Sequence, residues 1–589
     1  MRSWSIGEVA RLLGVKPYII RYWESELPLL SPRKGLSGRR QYTTRDIQLL
    51  MRFRHLLHEK KFTIEGAKRR MWEEMGAGEQ DMTARFDAVR ANLVEILMTI
   101  RRSRGARPEG SLAAAATEDC DIGPGGHAMT EKEIKDTCAS HGQKHLFDHW
   151  DARPDAMKRR LLEDLASLDF ARLDELRARL GASPPTRADV DPTPAPWIAQ
   201  SRSAADEGAR EIGEELIRRG GTAFLTVAGG QGSRLGFDGP KGMFPISPLR
   251  KLTLFALHAE KLLAARRWFG VEIPWLIMTS PSNRAETESY FRKESWFGLG
   301  SSSVIFFSQG TLPSLSPDGR LLMSPDGGLF FNPNGHGGVI EALTSTGALQ
   351  EALDRGVQEL FYFQVDNPIV KVPDPVFLGF HRREGSQISS KVIEKAYPEE
   401  KLGVIAIAAG RPCVIEYSDL DQRLMLARGP DGKLLFSQGS IAVHVLNVDF
   451  LSRARHSLPL HIARKKVKAL KPALRGTEIG EEDAVKMEMF IFDAIPIADK
   501  AVFFETDRRE EFAPLKNREG MDSIATCVRG QVEKAAGWLS ACGVDVPRDS
   551  EGRSVHTIEI SALFAWDQRV LGAKRGSLRD RIDEDTLLV

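Results

Sequence analysis

The sequence predicts a multidomain chain: an N-terminal, α-rich winged helix-turn-helix, then an α/β domain on a largely parallel sheet, with a helical part before that domain and a small C-terminal part after it. Three observations carry the prediction. At 589 residues the chain is too long for one hydrophobic core, since domains run to about 100–200 residues. Its charge is uneven: the first 71 residues hold 16 Lys and Arg against 6 Asp and Glu, and the remainder 66 against 74, so a strongly basic module is joined to a mildly acidic one. After Gly220 an apolar run, a Gly-rich turn and a helical stretch alternate to about residue 395, with apolar runs at 223–228, 275–279, 304–307 and 361–365. Such alternation means a largely parallel sheet covered by helices.

Taken in order, Ser5 reads as the cap of a helix over 5–13, with Glu8 at the third helical position and Ile6, Val9, Leu12 and Leu13 on one face. Gly14 stops it, and Val15-Lys16-Pro17 starts a second helix over 18–25. Two short helices joined by a Gly-containing turn make the helix-turn-helix pattern. Pro28, Pro32, Gly35 and Gly38 then break a basic loop that ends in Arg39-Arg40-Gln41-Tyr42, a candidate wing. Thr44 and Thr63 read as caps for helices over 45–59 and 64–75, closing a first domain at 1–75. Met82, Phe86, Val89, Leu93, Ile96 and Ile100, spaced 4, 3, 4, 3, 4, form a short coiled-coil seam within 76–104. Residues 105–130, rich in Gly, Ala, Arg and Pro, read as a flexible linker. A helical part over 131–200, the main α/β domain over 201–520 and a C-terminal part over 521–589 complete the chain.

Hydrophobic residues at 42% and charged residues at 28% match a soluble globular protein and exclude a wholly disordered or polytopic membrane chain. No uncharged run reaches the roughly 18 residues of a membrane helix, and Glu8 interrupts the start before a secretory signal forms. Five cysteines, an odd number without a C-x-x-C pair, suit free thiols in a reducing compartment. The expectation is a cytoplasmic protein with no membrane partner. Cys138, His141, His145 and His149, at spacings 3, 4 and 4, resemble a metal stripe on one helix face. Four such positions extend over about 16 Å at 1.5 Å per residue, so they cannot share one ion, and a packing stripe is the expected reading.

The most informative stretch is the apolar strand Phe224-Leu225-Thr226-Val227-Ala228 running into Gly229-Gly230-Gln231-Gly232-Ser233-Arg234-Leu235-Gly236 and on to Pro240-Lys241-Gly242-Met243. Its glycines let backbone N–H groups approach phosphate oxygens, and Arg234 and Lys241 add two cations. It is neither a Walker loop nor a dinucleotide fingerprint, because Lys241 is followed by Gly242 and the third helix-packing Gly is missing. Downstream, Phe361-Tyr362-Phe363-Gln364-Val365-Asp366 is an apolar strand ending in a carboxylate, the place where an α/β sheet presents a ligand for Mg2+ or Mn2+.

Two resemblances follow from these residues. Ser5-Ile6-Gly7-Glu8-Val9-Ala10, Arg21-Tyr22-Trp23-Glu24 and Arg39-Arg40-Gln41-Tyr42 closely resemble the MerR family of winged-helix DNA-binding domains. The resemblance implies DNA contacts from Lys16, Tyr18 and Arg21 on a recognition helix and from Arg33, Arg39 and Arg40 on the wing. It also implies a homodimer through residues 82–100. A winged helix used for protein contacts is the alternative.

The loop and its Pro-Lys-Gly-Met ending are similar to the nucleotide-sugar pyrophosphorylases, specifically the eukaryotic-type UDP-N-acetylhexosamine and UDP-sugar pyrophosphorylases. The likeness spans about residues 145–540, through the blocks at 306–313, 333–338, 365–367, 391–395, 414–418 and 512–517. It implies a GT-A/Rossmann-like mixed sheet and a Mg2+-dependent uridylyltransferase joining UTP to a sugar 1-phosphate. Val227, Gly229, Gly230, Gln231, Gln309 and Gly335 would hold the nucleotide. His336, Asn367, Gly403, Glu416 and Ser440 would surround the sugar. Arg234, Lys241, Asp366 and Lys516 would be catalytic, with Asp366 also the metal ligand. His336 and Ser440 stand where the hexosamine enzymes usually carry Asn. N-acetylglucosamine 1-phosphate is the expected substrate, with glucose or galactose 1-phosphate as alternatives. A transcription regulator that only senses the nucleotide sugar is the rival from another class.

Overall fold

In a computed structural model of the chain, the described residues are 4–13, 15, 20, 23, 33–34, 40–56, 129–181, 191–199, 204–455, 457–471 and 478–589. They fall into two compact units, residues 1–125 and 126–589. In the first, β1 (Trp4–Ser5), β2 (Arg33–Lys34) and β3 (Arg40–Tyr42) form an antiparallel sheet in the order β1-β3-β2. Trp4 pairs with Tyr42, and Arg33 with Gln41. Helices α1 (Ile6–Leu13) and α2 (Thr44–Arg54) bury Val9, Leu13, Ile47 and Phe53 against Trp4, Ile20, Trp23 and Tyr42. The cap of α2 is Thr43, not Thr44: its hydroxyl accepts from Asp46 N, and the Asp46 carboxylate accepts from Thr43 N at 2.7 Å. The acid three residues on decides which threonine caps. Lys16, Tyr18, Arg21, Arg39, the helix expected over 64–75 and the seam at 82–100 lie outside the described residues.

The second unit begins with α3 (Glu131–Ser140), α4 (Asp155–Ala166) and α5 (Phe170–Gly181), followed by β4 (Thr193–Pro194). The stripe at 138–149 does not lie on one helix, because α3 ends at Ser140 with His141 as its C-cap. Cys138 is buried, His141 Nδ1 sits 2.7 Å from Asp174 and His145 Nε2 sits 2.9 Å from Leu321 O. These groups are spent on packing.

Next come α6 (Ala204–Arg218), β5 (Thr222–Val227), α7 (Leu254–Phe269), β6 (Trp275–Thr279), α8 (Arg284–Lys293), β7 (Val304–Ser308), β8 (Thr311–Pro313) and β9 (Phe331–Pro333). They are followed by α9 (Val339–Ser345), α10 (Ala348–Asp354), β10 (Glu359–Gln364), α11 (Pro375–Arg383), β11 (Ile388–Glu394), β12 (Val404–Ala408), β13 (Arg411–Ile415) and β14 (Gln438–Asn447). The four apolar runs read from the sequence are β5, β6, β7 and β10, and they pair in parallel in the order β7-β6-β5-β10. Their alternate residues point into two cores: Phe224, Trp275 and Phe361 face α6, α7 and α11, whereas Leu225, Leu276 and Tyr362 face α9 and α10. Burial on both faces is why these strands read as unbroken apolar runs.

The sheet is mixed rather than largely parallel, because β14 pairs antiparallel with both β10 and β11, and β12 pairs antiparallel with β13. β17 (Ala501–Glu505) closes the far edge in parallel with β11. A long hairpin, β15 (His461–Lys471) and β16 (Glu478–Glu488), stands apart from the sheet. The chain ends with α12 (Ile524–Ala541), a parallel pair β18 (Ile558–Ile560) and β19 (Thr586–Leu588), and a small core around Trp538, Leu539, Ile558 and Leu571. Among the described residues no helix is long and apolar enough to cross a membrane.

Candidate active site

Chain order reverses between β5 and β10: β6 and β7 run away on one side of β5, and β10 returns on the other. A crevice opens outside the carboxyl ends of strands at such a switch point. Val227 and Gln364 are register partners at the last rung, so the Gly-rich loop and Asp366 emerge side by side.

The loop after β5 is held by its own backbone: Gly232 N donates to Gly239 O at 2.9 Å, Lys241 N donates to Gly230 O at 3.0 Å, and Gln231 bridges to Pro240. Asn283, fully buried after β6, fixes the rest. Its amide donates to Ala228 O at 3.0 Å while its carbonyl accepts from Ser280 N at 2.9 Å. At Gly229 a Cβ would sit 2.4 Å from Gln309 Oε1, so Gln309 is packed directly against the loop; at Gly230 a Cβ would meet nothing within 4 Å. Gly335, at φ 87°, lies so close to the chain at 489 that a Cβ would come 2.4 Å from Met489 O.

Lys241 Nζ donates to Asp366 Oδ2 at 3.1 Å, joining the two strand ends. Asp366 does not cap a helix; α11 is capped by Asp374 instead. From behind, His258 Nε2 lies 3.0 Å from Val365 O, Lys261 donates to the carbonyls of Pro368 and Val370, and Lys534 donates to that of Ile369. Burial pushes His258 down to about 3, so it stays neutral. The acidic loop is thus gripped at four backbone carbonyls between Val365 and Val370.

A cavity opens beside Asp366. It brings together His336, Asn367, Gly403, Glu416, Ser440 and Lys516 from separate stretches of sequence. Gly403 and Glu416 adjoin register partners Val404 and Ile415 on β12 and β13, and Ser440 N donates to Gly403 O at 2.8 Å. The β11–β14 ladder steps from Ser390↔His444 to Val392↔Ser440, so 441–443 bulge opposite Lys391, with Ala442 at φ 54°. The bulge directs Ile441 to Val443 at the cavity. His336 stacks on Phe490 at 5.3 Å, and its Nδ1 accepts from Ile491 N at 3.3 Å. Burial pushes it down to about 4, so Nε2 carries the proton at neutral pH and serves as a donor. Burial raises the Glu416 carboxyl, with Asp419 acting in the same direction.

Not every expected side chain faces a ligand. The Asn367 amide is consumed by protein: Nδ2 donates to Glu511 O at 2.6 Å and Oδ1 accepts from Ala513 N at 3.2 Å. Leu515 N donates to Asp366 O at 2.8 Å, so residues 511–515 are zipped to 366–367 and carry Lys516 to the cavity. Arg234 is exposed on a turn after the loop. Asn283 and Arg518 were missed from the sequence. The first stands just beyond the carboxyl end of a parallel strand, and the second lies two residues after Lys516, with its guanidinium against Gly236. Asp366 and Glu416 are the acidic groups on the cavity wall, and among the described residues no group of three or more His, Cys, Asp and Glu gathers to cage a metal. One carboxylate beside a Gly-rich loop and Lys241 fits an ion such as Mg2+ or Mn2+, which takes one or two protein carboxylates and keeps several waters.

The UTP–glucose-1-phosphate uridylyltransferase family pattern matches residues 200–525, and the MerR HTH family regulatory protein pattern matches residues 4–74. UDP-N-acetylglucosamine diphosphorylase 2 of Arabidopsis thaliana is 34% identical over 416 residues, 67% of this chain and 80% of that protein. UDP-N-acetylglucosamine pyrophosphorylase of Saccharomyces cerevisiae is 32% identical over 467 residues, 75% of this chain and 96% of that one. Among solved structures, uridine diphosphate N-acetylglucosamine pyrophosphorylase from Trypanosoma brucei, in complex with an inhibitor, matches with a TM-score of 0.65 at 26% identity, over 79% of this chain and 99% of that chain.

Proposed function

The chain belongs to the UTP–glucose-1-phosphate uridylyltransferase family, and from that premise we propose that it joins UTP to N-acetylglucosamine 1-phosphate, releasing pyrophosphate. The observation that carries this reading is the single cavity in which His336, Gly403, Glu416 and Ser440 meet Asp366 and Lys516 beside the Gly-rich loop. The names of the relatives support the choice of sugar.

In this reading the backbone at 227–231, with Gln309 and Gly335, holds the nucleotide, and Gly230 is the open point at which phosphate oxygens approach. Lys241 turns from Asp366 to the phosphates, and Lys516 and Arg234 complete the cationic rim. The sugar-phosphate oxygen attacks the α-phosphorus and pyrophosphate leaves in line. The nucleophile is already anionic near neutral pH, so positioning and fixed cations supply the catalysis without a general base. Asp366 would hold Mg2+ or Mn2+, which when bound offsets phosphate charge. His336 Nε2–H donates to a sugar oxygen, and Glu416 accepts from a hydroxyl or amide. A cytoplasmic setting belongs to this reading and fits the free thiols Cys138, Cys527 and Cys542.

A pyrophosphate-release assay with UTP and a panel of sugar 1-phosphates tests it. N-acetylglucosamine 1-phosphate is expected to react fastest. A preference for glucose or galactose 1-phosphate reassigns the sugar, and no release with any of them leaves the nucleotide-sugar sensor as the function.

The N-terminal unit supports a second, additional role. Its excess of Lys and Arg, the basic residues Arg33, Lys34 and Arg40 on its paired strands, and the match to a MerR regulatory pattern favour a winged-helix unit that binds DNA as a dimer.

A further inference from the structure

One buried ionic cluster has no place in the chemistry above. Lys391, on β11 opposite the β14 bulge, is completely buried, as are Glu511 and Asp374 to within a few per cent. Its Nζ donates to both Glu511 oxygens at 2.6 Å and to Asp374 Oδ2 at 2.7 Å. Thr506 Oγ1 donates to Glu511 Oε1 at 2.7 Å, and Lys371 N donates to Glu511 Oε2 at 3.3 Å. An ammonium in such surroundings is costly to desolvate and stays only where its partners are fixed.

Glu511 begins the segment that Asn367 and Asp366 zip to the cavity rim, and five residues later that segment presents Lys516. We infer that Lys391 is a positioning residue that acts through Glu511 to set Lys516 over the reacting phosphates. The Lys516 side chain has little else to hold it: it is 39% exposed, with Asp522 at 3.5 Å. Its place is therefore set by its backbone, and Glu511 anchors that backbone. Without Lys391, Asp374 keeps Lys371 Nζ at 3.4 Å, whereas Glu511 loses its ammonium partner and retains only the Thr506 hydroxyl and the Lys371 N–H. Glu511 must then protonate or move, and Lys516 moves with it.

This inference rests on the role given to Lys516 above, and the test separates the two. The full chain is made as wild type, Lys391→Met, Lys516→Ala and the double variant, with a parallel pair carrying Thr506→Val. The Thr506 change removes one neutral donor, leaves no charge unpaired and keeps the fold. Turnover and KM for UTP are measured on each. Lys391→Met is expected to lower kcat about tenfold or more with KM for UTP within about twofold, and Thr506→Val about threefold. In the Lys516→Ala background, either change is expected to cost less than twofold further. Losses that multiply independently overturn the route through Lys516 while leaving Lys516 its role. A Lys516→Ala enzyme with wild-type turnover removes that role, and this inference falls with it. If Lys391→Met yields no folded protein, the Thr506→Val cycle decides alone.

Discussion

Lys241 and Asp366 form a contact across 125 positions of sequence, and substitution at either reads the site directly. Lys241→Ala and Arg234→Ala are each expected to lower turnover by about 10² or more, the loss when a charged contact to a transition state is removed. Stopped assays beside unchanged circular dichroism would check it. Asp366→Asn is expected to abolish turnover and to leave no response to added Mg2+; full wild-type activity in excess EDTA would contradict the metal role. Glu416 gives a test with a sign. Its carboxyl is raised by burial, so ionisation costs the folded state free energy above that raised value, and the cost vanishes as pH falls through it. Glu416→Gln should therefore stabilise the fold at pH 8 and leave it unchanged near pH 4, while KM for the sugar 1-phosphate rises. Thermal melts at the two pH values with saturation kinetics measure both. At this scale, residue type and place were legible for Lys241 and Asp366, because a cation after a Gly-rich loop and a carboxylate after an apolar strand are local patterns. Asn283 was not: nothing in Ser280-Pro281-Ser282-Asn283 announces that its amide ends on Ala228 O.

Among elements, the loop after β5 separates two kinds of glycine. Gly229→Ala drives a Cβ into Gln309 and is expected to cost about 1–3 kcal/mol through overpacking. Gly230→Ala meets nothing, so its melting temperature should stay within a degree or two while KM for UTP rises. Equal melting behaviour of the two variants would contradict the packing described. Strands β5, β6, β7 and β10 were legible because both faces are buried, leaving uninterrupted apolar runs. The β15–β16 hairpin was not, since along Arg464-Lys465-Lys466 the residues are exposed and only positions such as Val467, Ala469 and Leu470 are buried. The β14 bulge is invisible in sequence because its partner, Lys391, is tied to Glu511, 120 positions away.

At the scale of the whole molecule, the division at residue 125 predicts separable activities. Residues 130–589 expressed alone should retain full turnover, and residues 1–105 should bind DNA as a dimer. If several cations neutralise phosphates on each half-site, affinity should fall by orders of magnitude between about 50 and 200 mM salt. Gel shifts and sedimentation of that fragment measure both, and a monomer indifferent to DNA at low salt would leave the N-terminal unit a protein-contact module. Within the second unit the parts are not separable. Glu559 accepts from Leu249 N, Arg250 N and Arg250 Nε, and Gln531 donates to Ile246 O. The stretch just after Lys241 is therefore held by residues some 300 positions later. During synthesis, then, the phosphate loop emerges early and waits. The nascent chain has its glycines, its lysine and most of its sheet long before it has the glutamate that fastens them, so catalytic competence waits for a residue made some 300 positions later.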